Sequence, residues 1–450
     1  MSNSTSPQGS AAPAPRSVDI PEMPGEVRAA AARIAAAAVA SHAAWERVAL
    51  WTDTFGPRLS GSDALEKAID WALAALADDG LANVHGEPVM VPHWVRGDES
   101  AALVSPRPMS LSMLGLGGSV ATPAEGITAP VLVVSTFDEL AERSSEALGR
   151  IVLFDAPFVS YRETVQYRSR GAVEASRHGA VASLVRSVAS ASMSNPHTGG
   201  LRYADDVPKI PAAALSVEHA ALLHRLSDRG ASVVVRLVMG AQTLPDAPSR
   251  NIVAEIPGSE RPHEVVVLGG HIDSWDVGQG AMDDAGGFVA AWEALNVLRR
   301  LGLTPRRTIR LVGWTNEENG LAGGRGYHAA HRPELADHVV AMESDAGFFR
   351  PTRIGFHGAD ASLAAVQAIA ELMAPWGVFS AGPGRPGADV SPLVPDGVPT
   401  LTLGSDQQKY FRYHHSAADT PDKLDPDEVA HGVAVLAVYA YVLAEVAWRL

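Results

Sequence analysis

Cysteine is absent from the 450 residues of this chain. No disulfide can therefore form, and any metal site must be built from nitrogen and oxygen ligands. Positive charge is also scarce, because 36 Lys and Arg stand against 51 Asp and Glu and the formal net charge is -15 at pH 7. Since an acidic surface repels a phosphate backbone, we expect no nucleic-acid partner.

Long hydrophobic runs are lacking too. The longest late run, GVAVLAVYAYVLA, falls short of the roughly 20 apolar residues that span a bilayer, so we expect no membrane partner. It follows LDPDEV, in which Asp425 can cap a helix and Pro426 can take its first position, and this pattern predicts a buried C-terminal helix. The first residues show no basic start followed by an apolar segment, so the cytoplasm is the expected location.

The composition, with 46% hydrophobic and 19% charged residues, is typical of a globular protein that is too long for one core. Residues 1–20 are small, polar and proline-rich, which predicts a disordered tail. Residues 96–246 contain short β-rich runs such as APVLVVS and GRIVLFD, together with RGAVEASRHGAVASLVRSV, which we interpret as a helix. We predict an inserted β-rich domain there, a linker at TLPDAPSR, and a second domain formed by residues 21–95 and 247–450.

From Asn251 onward, strand-like and helix-like segments alternate. HEVVVLGG, RTIRLVGWT and HVVAMES have the apolar character of strands, and FVAAWEALNVLRRL has the period of a helix. This pattern predicts an α/β fold, with a mixed sheet flanked by helices. In such sheets, ligands bind at the carboxyl ends of the strands.

Polar residues gather at those strand ends. Two histidines and three or four carboxylates converging on one place describe a metal centre. Three ligating carboxylates would leave one zinc ion in a negatively charged site, whereas two zinc ions and a hydroxide would balance the charge, so we expect two Zn2+ per chain. The candidates are His271, Asp283, Glu317, Glu318, Asp345 and either His414 or His415.

Spacing assigns some of the roles. The VGQG turn lets the chain double back, so that Asp283 can reach the metal held by His271 and can bridge to a second one. Asp273 lies two residues after His271, on the same side of an extended segment, and can accept the other ring proton. Glu317 and Glu318 are adjacent, so one should ligate while the other, with a raised pKa, acts as general base.

Four motifs, GGHIDSWDVGQGAMDD, WTNEENG, MESDAG and HHSAADT, occur in this order. Together they resemble those of metallopeptidase family twenty-eight, the di-zinc peptidases of the aminopeptidase fold, and within it the carboxypeptidase Q group. RGAVEASRHGAVASLVRSV and NPHTGG resemble the inserted protease-associated-type domain of that group.

The resemblance implies a zinc exopeptidase that cleaves dipeptides or short peptides with a free N-terminus. By motif, His271 and Asp345 resemble ligands to separate metals, Asp283 resembles the bridge and Glu317 the general base. Glu318 resembles a ligand on the side of His415, the histidine directly before SAADT. His414 and Asp389 are further candidates for substrate contact, and a homodimer is a further candidate assembly.

Three alternatives remain open at this point. The enzyme could be a general aminopeptidase acting on longer peptides. The same fold also hosts glutaminyl cyclases, which use one zinc ion and transfer an acyl group within the substrate. A non-catalytic binding protein is disfavoured, because every ligand position and the base position are occupied here.

Overall fold

The computed structural model describes residues 22–377 and 379–450. The predicted disordered tail, residues 1–20, lies outside this range.

The helices alternate with strands through most of the chain. The α-helices are α1 (Gly25–Val39), α2 (Ala43–Phe55), α3 (Asp63–Asp78), α4 (Phe137–Glu142), α5 (Ser144–Ala147), α6 (Tyr161–Arg177), α7 (Val217–Asp228), α8 (Gly286–Arg300), α9 (Ala322–His331), α10 (Leu363–Glu371), α11 (Gln407–Tyr410) and α12 (Pro426–Glu445). The strands are β1 (Ala82–Val95), β2 (Glu99–Ser105), β3 (Met109–Leu111), β4 (Met113–Gly115), β5 (Ile127–Val134), β6 (Ile151–Phe154), β7 (Ala182–Arg186), β8 (Ala212–Leu215), β9 (Val234–Met239), β10 (Gln242–Ile256), β11 (Arg261–His271), β12 (Arg307–Trp314), β13 (His338–Glu343), β14 (Arg353–His357), β15 (Ser380–Pro383) and β16 (Thr400–Gly404).

The first sheet has eight strands in the order β1-β10-β12-β11-β13-β16-β14-β15. Its central strands β12, β11, β13 and β16 are parallel, whereas β10 and β14 run antiparallel to their neighbours. Along β11, Val266 and Leu268 enter the core formed with α1, α2, α3, α8 and α12, while Val265 and Val267 enter a core on the opposite face. Because successive side chains of a strand point to opposite faces, a continuous apolar run is buried on both sides.

The second sheet also has eight strands, in the order β3-β2-β9-β5-β6-β7-β8-β4, all between Glu99 and Met239. Two hydrophobic clusters cover its faces, and both consist entirely of residues from this part of the chain. The segment therefore has its own core, as a domain does.

A two-stranded antiparallel ribbon joins the two sheets. β1 pairs with β10 from Ala82–Glu255 to Val95–Gln242. The predicted linker TLPDAPSR is therefore wrong, since residues 243–250 lie within β10. β12 pairs with β10 only from Ile252 onward. Among the described strands, the preceding part of β10 therefore pairs with β1 alone, and proline is tolerated on its other edge.

The C-terminal helix α12 begins as the sequence predicted. Asp425 Oδ1 accepts hydrogen bonds from the backbone N–H of Asp427 at 2.9 Å and of Glu428 at 3.2 Å. By length and composition, this 20-residue helix could cross a membrane, but 83% of its most apolar window is buried in the protein. The prediction of a buried core helix is confirmed.

Candidate metal centre

The ends of three parallel strands meet at one edge of the first sheet. β11 ends at His271, the chain leaves β12 towards Glu317 and Glu318, and it leaves β13 towards Asp345. This is the edge where an α/β sheet binds its ligands. The fold thus brings together four residues that lie up to 74 positions apart in the sequence.

Asp283 lies in the middle of this cluster. Its Oδ1 is 3.2 Å from His271 Nε2, which in turn is 3.7 Å from Asp345 Oδ1. Its Oδ2 is 3.3 Å from His415 Nε2, and that nitrogen is 2.9 Å from Glu318 Oε2. Burial opposes ionisation, but the facing imidazoles of His271 and His415 hold the pKa of Asp283 well below its usual range. The predicted ligands therefore form two groups, one on each oxygen of Asp283. His271 and Asp345 lie in the same group, so the prediction that they bind separate metals is wrong.

His414 also faces Asp283. Its ring stacks on that of His415 with centroids 3.4 Å apart, and its Nε2 is 3.6 Å from Asp283 Oδ2. His415 has the additional contact with Glu318, and its φ of 59° places its backbone in the left-handed region. Such backbone strain is concentrated at functional sites. The geometry therefore favours His415 over His414 as the ligand.

The VGQG turn allows the chain to return to His271. Gly278 has a φ of 72°, and a Cβ at this position would lie 2.5 Å from the Ser416 carbonyl oxygen. Gly280 has a φ of 57°, and a Cβ there would lie 2.2 Å from Ser274 Cβ. Both positions thus require glycine, for conformation and for space.

Two buried residues outside the predicted set hold this loop. Arg58 donates to the carbonyl oxygens of Ile272 at 3.2 Å, Gln279 at 2.8 Å and Gly280 at 3.1 Å. Asp419 Oδ1 accepts from the N–H of Ala281 at 2.9 Å and of Met282 at 2.8 Å. Asp419 belongs to the motif HHSAADT, which is a signal in the sequence, whereas nothing in TFGPRLSGS distinguishes Arg58 from an ordinary loop residue.

Asp273 is buried beside His271, but its carboxylate does not hold the ring as predicted. His271 Nδ1 is 2.9 Å from the Asp273 carbonyl oxygen and 3.7 Å from Oδ1, so the backbone oxygen accepts the ring proton. The carboxylate instead accepts the N–H of Glu317 at 3.0 Å and of Glu318 at 3.4 Å, and the hydroxyl of Ser60 at 3.2 Å. Asp273 therefore fixes the loop that carries both glutamates relative to His271.

The two glutamates have different surroundings. Glu318 contacts His415, and burial raises its pKa to about 7. Glu317 lines the open cleft and has no ion-pair partner within residues 22–377 and 379–450. Burial, followed by the charge of Asp345, raises its pKa well above the usual range. The carboxylate without an ion-pair partner thus has a raised pKa, as a general base requires.

The donor set fits a divalent metal such as zinc. Asp283 Oδ2 is buried and faces the ring nitrogens of His415 at 3.3 Å and His414 at 3.6 Å, but among the described residues neither makes a well-aligned hydrogen bond to it. A buried carboxylate oxygen without a donor is costly unless a cation lies beside it. Histidine nitrogens and carboxylate oxygens are ligands that zinc accepts.

A cleft of about 1100 Å³ lies over these residues. Its floor contains Asp283, Glu317, Glu318 and Asp345. Much of its wall comes from the domain of the second sheet, through Tyr161, Val165, Arg168, Arg170, Leu201 and Arg202. That domain therefore overhangs the candidate centre.

The overhanging domain also touches the backbone that carries the two histidines. His197 Nδ1 donates to the His414 carbonyl oxygen at 2.6 Å, and the Thr198 N–H donates to the His415 carbonyl oxygen at 2.8 Å. Burial lowers the pKa of His197 to about 4, so its imidazole is neutral at pH 7. His197 thus joins the two domains and does not face the cleft.

Asp389 is not brought to the surface of the cleft. It is buried behind the wall, where Ala388 is the lining residue, and both of its carboxylate oxygens lack partners among the described residues. Burial, followed by the charge of Glu343, raises its pKa well above the usual range. Asp389 is therefore not among the residues that line the cleft.

Known proteins are similar to this chain in both sequence and architecture. Residues 251–440 match the family model described as Peptidase family M28. Carboxypeptidase Q of Homo sapiens is 48% identical over 94% of this chain and 89% of its own length. The chain belongs to peptidase family M28. A solved M28 peptidase precursor from Shewanella amazonensis SB2B is 38% identical and superposes with a TM-score of 0.91 over 94% of this chain and 98% of its own.

The zinc aminopeptidase BSAP of Bacillus subtilis has the same fold, with a TM-score of 0.66 and 19% identity over 88% of this chain and 94% of its own. The predicted M28 family and the mixed α/β fold flanked by helices are thereby confirmed. The prediction that this M28 chain is an enzyme of the metallo-exopeptidase class is confirmed as well.

Proposed function

We propose that this M28 peptidase hydrolyses dipeptides and other short peptides, with two zinc ions and with Glu317 as general base. The observation that carries the proposal is the position of Asp283, which presents one oxygen to His271 and the other to His415. A single ion would use only one of the two groups of ligands, either His271 with Asp345 or His415 with Glu318. Two ions would use both.

Similar proteins support the reaction class. The human relative is named a carboxypeptidase, and the solved structure of similar fold from Bacillus subtilis is named a zinc aminopeptidase. Both names describe removal of a terminal residue. In a dipeptide, the single peptide bond is next to both termini, so one cleavage satisfies both descriptions.

When bound, zinc supplies Lewis-acid polarisation of the scissile carbonyl and makes water more acidic. Residues of the chain transfer the proton and position the base. Glu317 Oε accepts a proton from the attacking water and passes it to the leaving nitrogen. The Asp273 carboxylate holds the Glu317 backbone N–H at 3.0 Å, which keeps the base on the cleft side.

The test combines a metal count with a substrate panel. We expect about two zinc ions per chain by elemental analysis after mild dialysis, and hydrolysis of part of a dipeptide library by the zinc-loaded protein. A metal content near zero that added zinc does not restore would contradict the proposal. One zinc per chain, together with cyclisation of N-terminal glutamine, would favour the acyl-transferase alternative.

A further inference from the structure

We propose that Arg168 binds the C-terminal carboxylate of the substrate, and thereby favours cleavage one residue before a free C-terminus. The proposal rests on the function given above and specifies which peptides the cleft accepts. It assigns this specificity to the overhanging domain, because Arg168 lies on α6.

Arg168 is a buried cation without a carboxylate partner. It is 6% exposed, yet no ion pair within residues 22–377 and 379–450 involves its guanidinium. Nη2 donates to Tyr161 Oη at 2.8 Å, and Nη1 makes two long contacts of 3.4 Å, to the Thr198 carbonyl oxygen and to His415 Nδ1. Nε has no partner among the described residues. A buried charge is normally paired, so this guanidinium has unused capacity for an anion.

The position of Arg168 matches the length of a dipeptide. It lines the cleft, and its Nη1 is 3.4 Å from one nitrogen of His415. The other nitrogen of the same ring faces Asp283 and Glu318. Only one imidazole ring therefore separates the guanidinium from the candidate centre. In a dipeptide, the scissile carbonyl and the C-terminal carboxylate are likewise separated by one residue.

The neighbouring backbone is shaped around this side chain. Gly199 has a φ of 132°, and a Cβ there would lie 2.3 Å from Arg168 Cζ. This contact explains why the first glycine of the motif NPHTGG is required, since any side chain at this position would displace the guanidinium. Tyr161 and the Thr198 carbonyl fix its orientation from two other sides. A planar fork held in this way is suited to a carboxylate.

The walls of the cleft carry charge that complements a carboxylate. The acidic residues of the floor are the predicted zinc ligands and the base, whereas arginines line the walls. Arg168 is the buried one among them, and Arg170, Arg202 and Arg325 are exposed. A dipeptide ends in a carboxylate, so this end of the substrate finds the opposite charge on the wall of the cleft.

The competing explanation is that Arg168 only balances the acidic residues of the centre. Both explanations predict that its replacement impairs the enzyme, but they differ on substrates without a C-terminal charge. A structural cation affects the acid and the amide of one dipeptide equally. A carboxylate-binding residue affects the acid alone.

The experiment compares L-alanyl-L-leucine with L-alanyl-L-leucinamide. For the zinc-loaded wild type, we expect kcat/KM to be about ten- to hundredfold higher for the acid, the range for a charge-assisted hydrogen-bonded pair. Arg168→Met should bring this ratio close to one, mainly by slowing hydrolysis of the acid. Arg162→Met, a matched change at an exposed position of the same helix, should keep the wild-type ratio.

A wild-type ratio near one would overturn the proposal, as would an Arg168→Met protein that loses activity on both substrates but keeps their ratio. If Arg168→Met does not fold, Arg168→Lys keeps the charge without the planar guanidinium and should lower the acid-to-amide ratio of kcat/KM. An unchanged ratio in this variant would contradict the proposal. Calorimetric binding of both probes to Glu317→Gln separates this proposal from the proposed function. A preference for the acid without hydrolysis by the wild type would support the anion site and reject the peptidase mechanism.

Discussion

Glu317 and Glu318 are neighbours in sequence but have different surroundings. Glu317 faces the cleft without an ion-pair partner in the described part of the chain, and Glu318 contacts His415. Glu317→Gln should lower kcat by about 10²–10⁴-fold, because the amide cannot accept the proton of the attacking water. The zinc content of this variant, measured by elemental analysis, should stay at the wild-type value.

Glu318→Gln is the matched control for this prediction. It removes the same charge from the adjacent position, but it should weaken zinc retention during dialysis, because its carboxylate belongs to the group around His415. Full activity of Glu317→Gln would rule this residue out as the base. Exchanged phenotypes would show that the two roles are reversed.

His338 makes the stability of the protein depend on pH. It is buried on β13, where its Nε2 is 2.9 Å from Tyr327 Oη, and burial lowers its pKa from 6.5 to about 4. Between these values the unfolded chain binds a proton that the folded protein does not, so stability falls as the pH falls from 6.5 to 4. Between pH 7 and pH 5, this residue should account for a loss on the order of 2 kcal/mol in the free energy of unfolding.

The measurement compares denaturant unfolding of the wild type and His338→Gln at pH 7 and pH 5. The variant should lose less stability on acidification, because glutamine does not titrate. His263→Gln, at an exposed position, should follow the wild type. Parallel curves for wild type and His338→Gln would show that His338 is not the group responsible.

At the scale of the elements, the sequence predicted the strands that end at the centre, because parallel strands bring their carboxyl ends to one edge. Its prediction of one helix at RGAVEASRHGAVASLVRSV is confirmed for residues 170–177 and wrong for the rest. α6 ends at Arg177, and Ala182–Arg186 form β7. A short apolar run such as ASLV fits a buried strand as well as a buried helix, and periodicity does not separate the two.

Residues that act across long sequence separations could not be predicted from local pattern. Arg58 reaches the Ile272 carbonyl across 214 positions, and Arg168 reaches His415 across 247. Neither arginine stands at a strand end or in a motif of metal ligands. Their roles depend on how α6 and the α2–α3 connection dock, which is a property of the assembled fold.

The cap of α12 provides a test at this scale. Asp425→Ala removes the carboxylate that accepts from the N–H of Asp427 and Glu428, and should cost about 1 kcal/mol of stability. Asp427→Ala changes the same charge in the same turn, but its side chain is 78% exposed and, within residues 22–377 and 379–450, pairs only with His42 at 2.7 Å. Its effect on denaturant unfolding should be smaller. Equal losses would mean that charge near the helix start matters, and not the cap.

At the scale of the whole molecule, the overhanging domain limits the space above the centre. The domain is tethered by the β1–β10 ribbon at one side and touches the His414–His415 backbone at the other. A longer peptide would have to displace it, at a cost in binding. We expect kcat/KM to fall as a peptide with a fixed N-terminal residue grows from two residues to five. Equal or rising efficiency would show an open groove and favour a general aminopeptidase.

The ribbon also has a consequence for folding. Pairing β1 with β10 directly from the unfolded chain would require closing the whole stretch between Val95 and Gln242 as a loop. Loop closure costs about 0.6 kcal/mol for each doubling of length, which makes this loop roughly 3 kcal/mol costlier than a tight hairpin. The segment has its own two hydrophobic clusters, however, so it can fold first and bring its ends together. Folding of this segment first would offset the entropic cost of loop closure. β1 and β10 of the first sheet would then pair at two chain ends that the overhanging domain has already brought together.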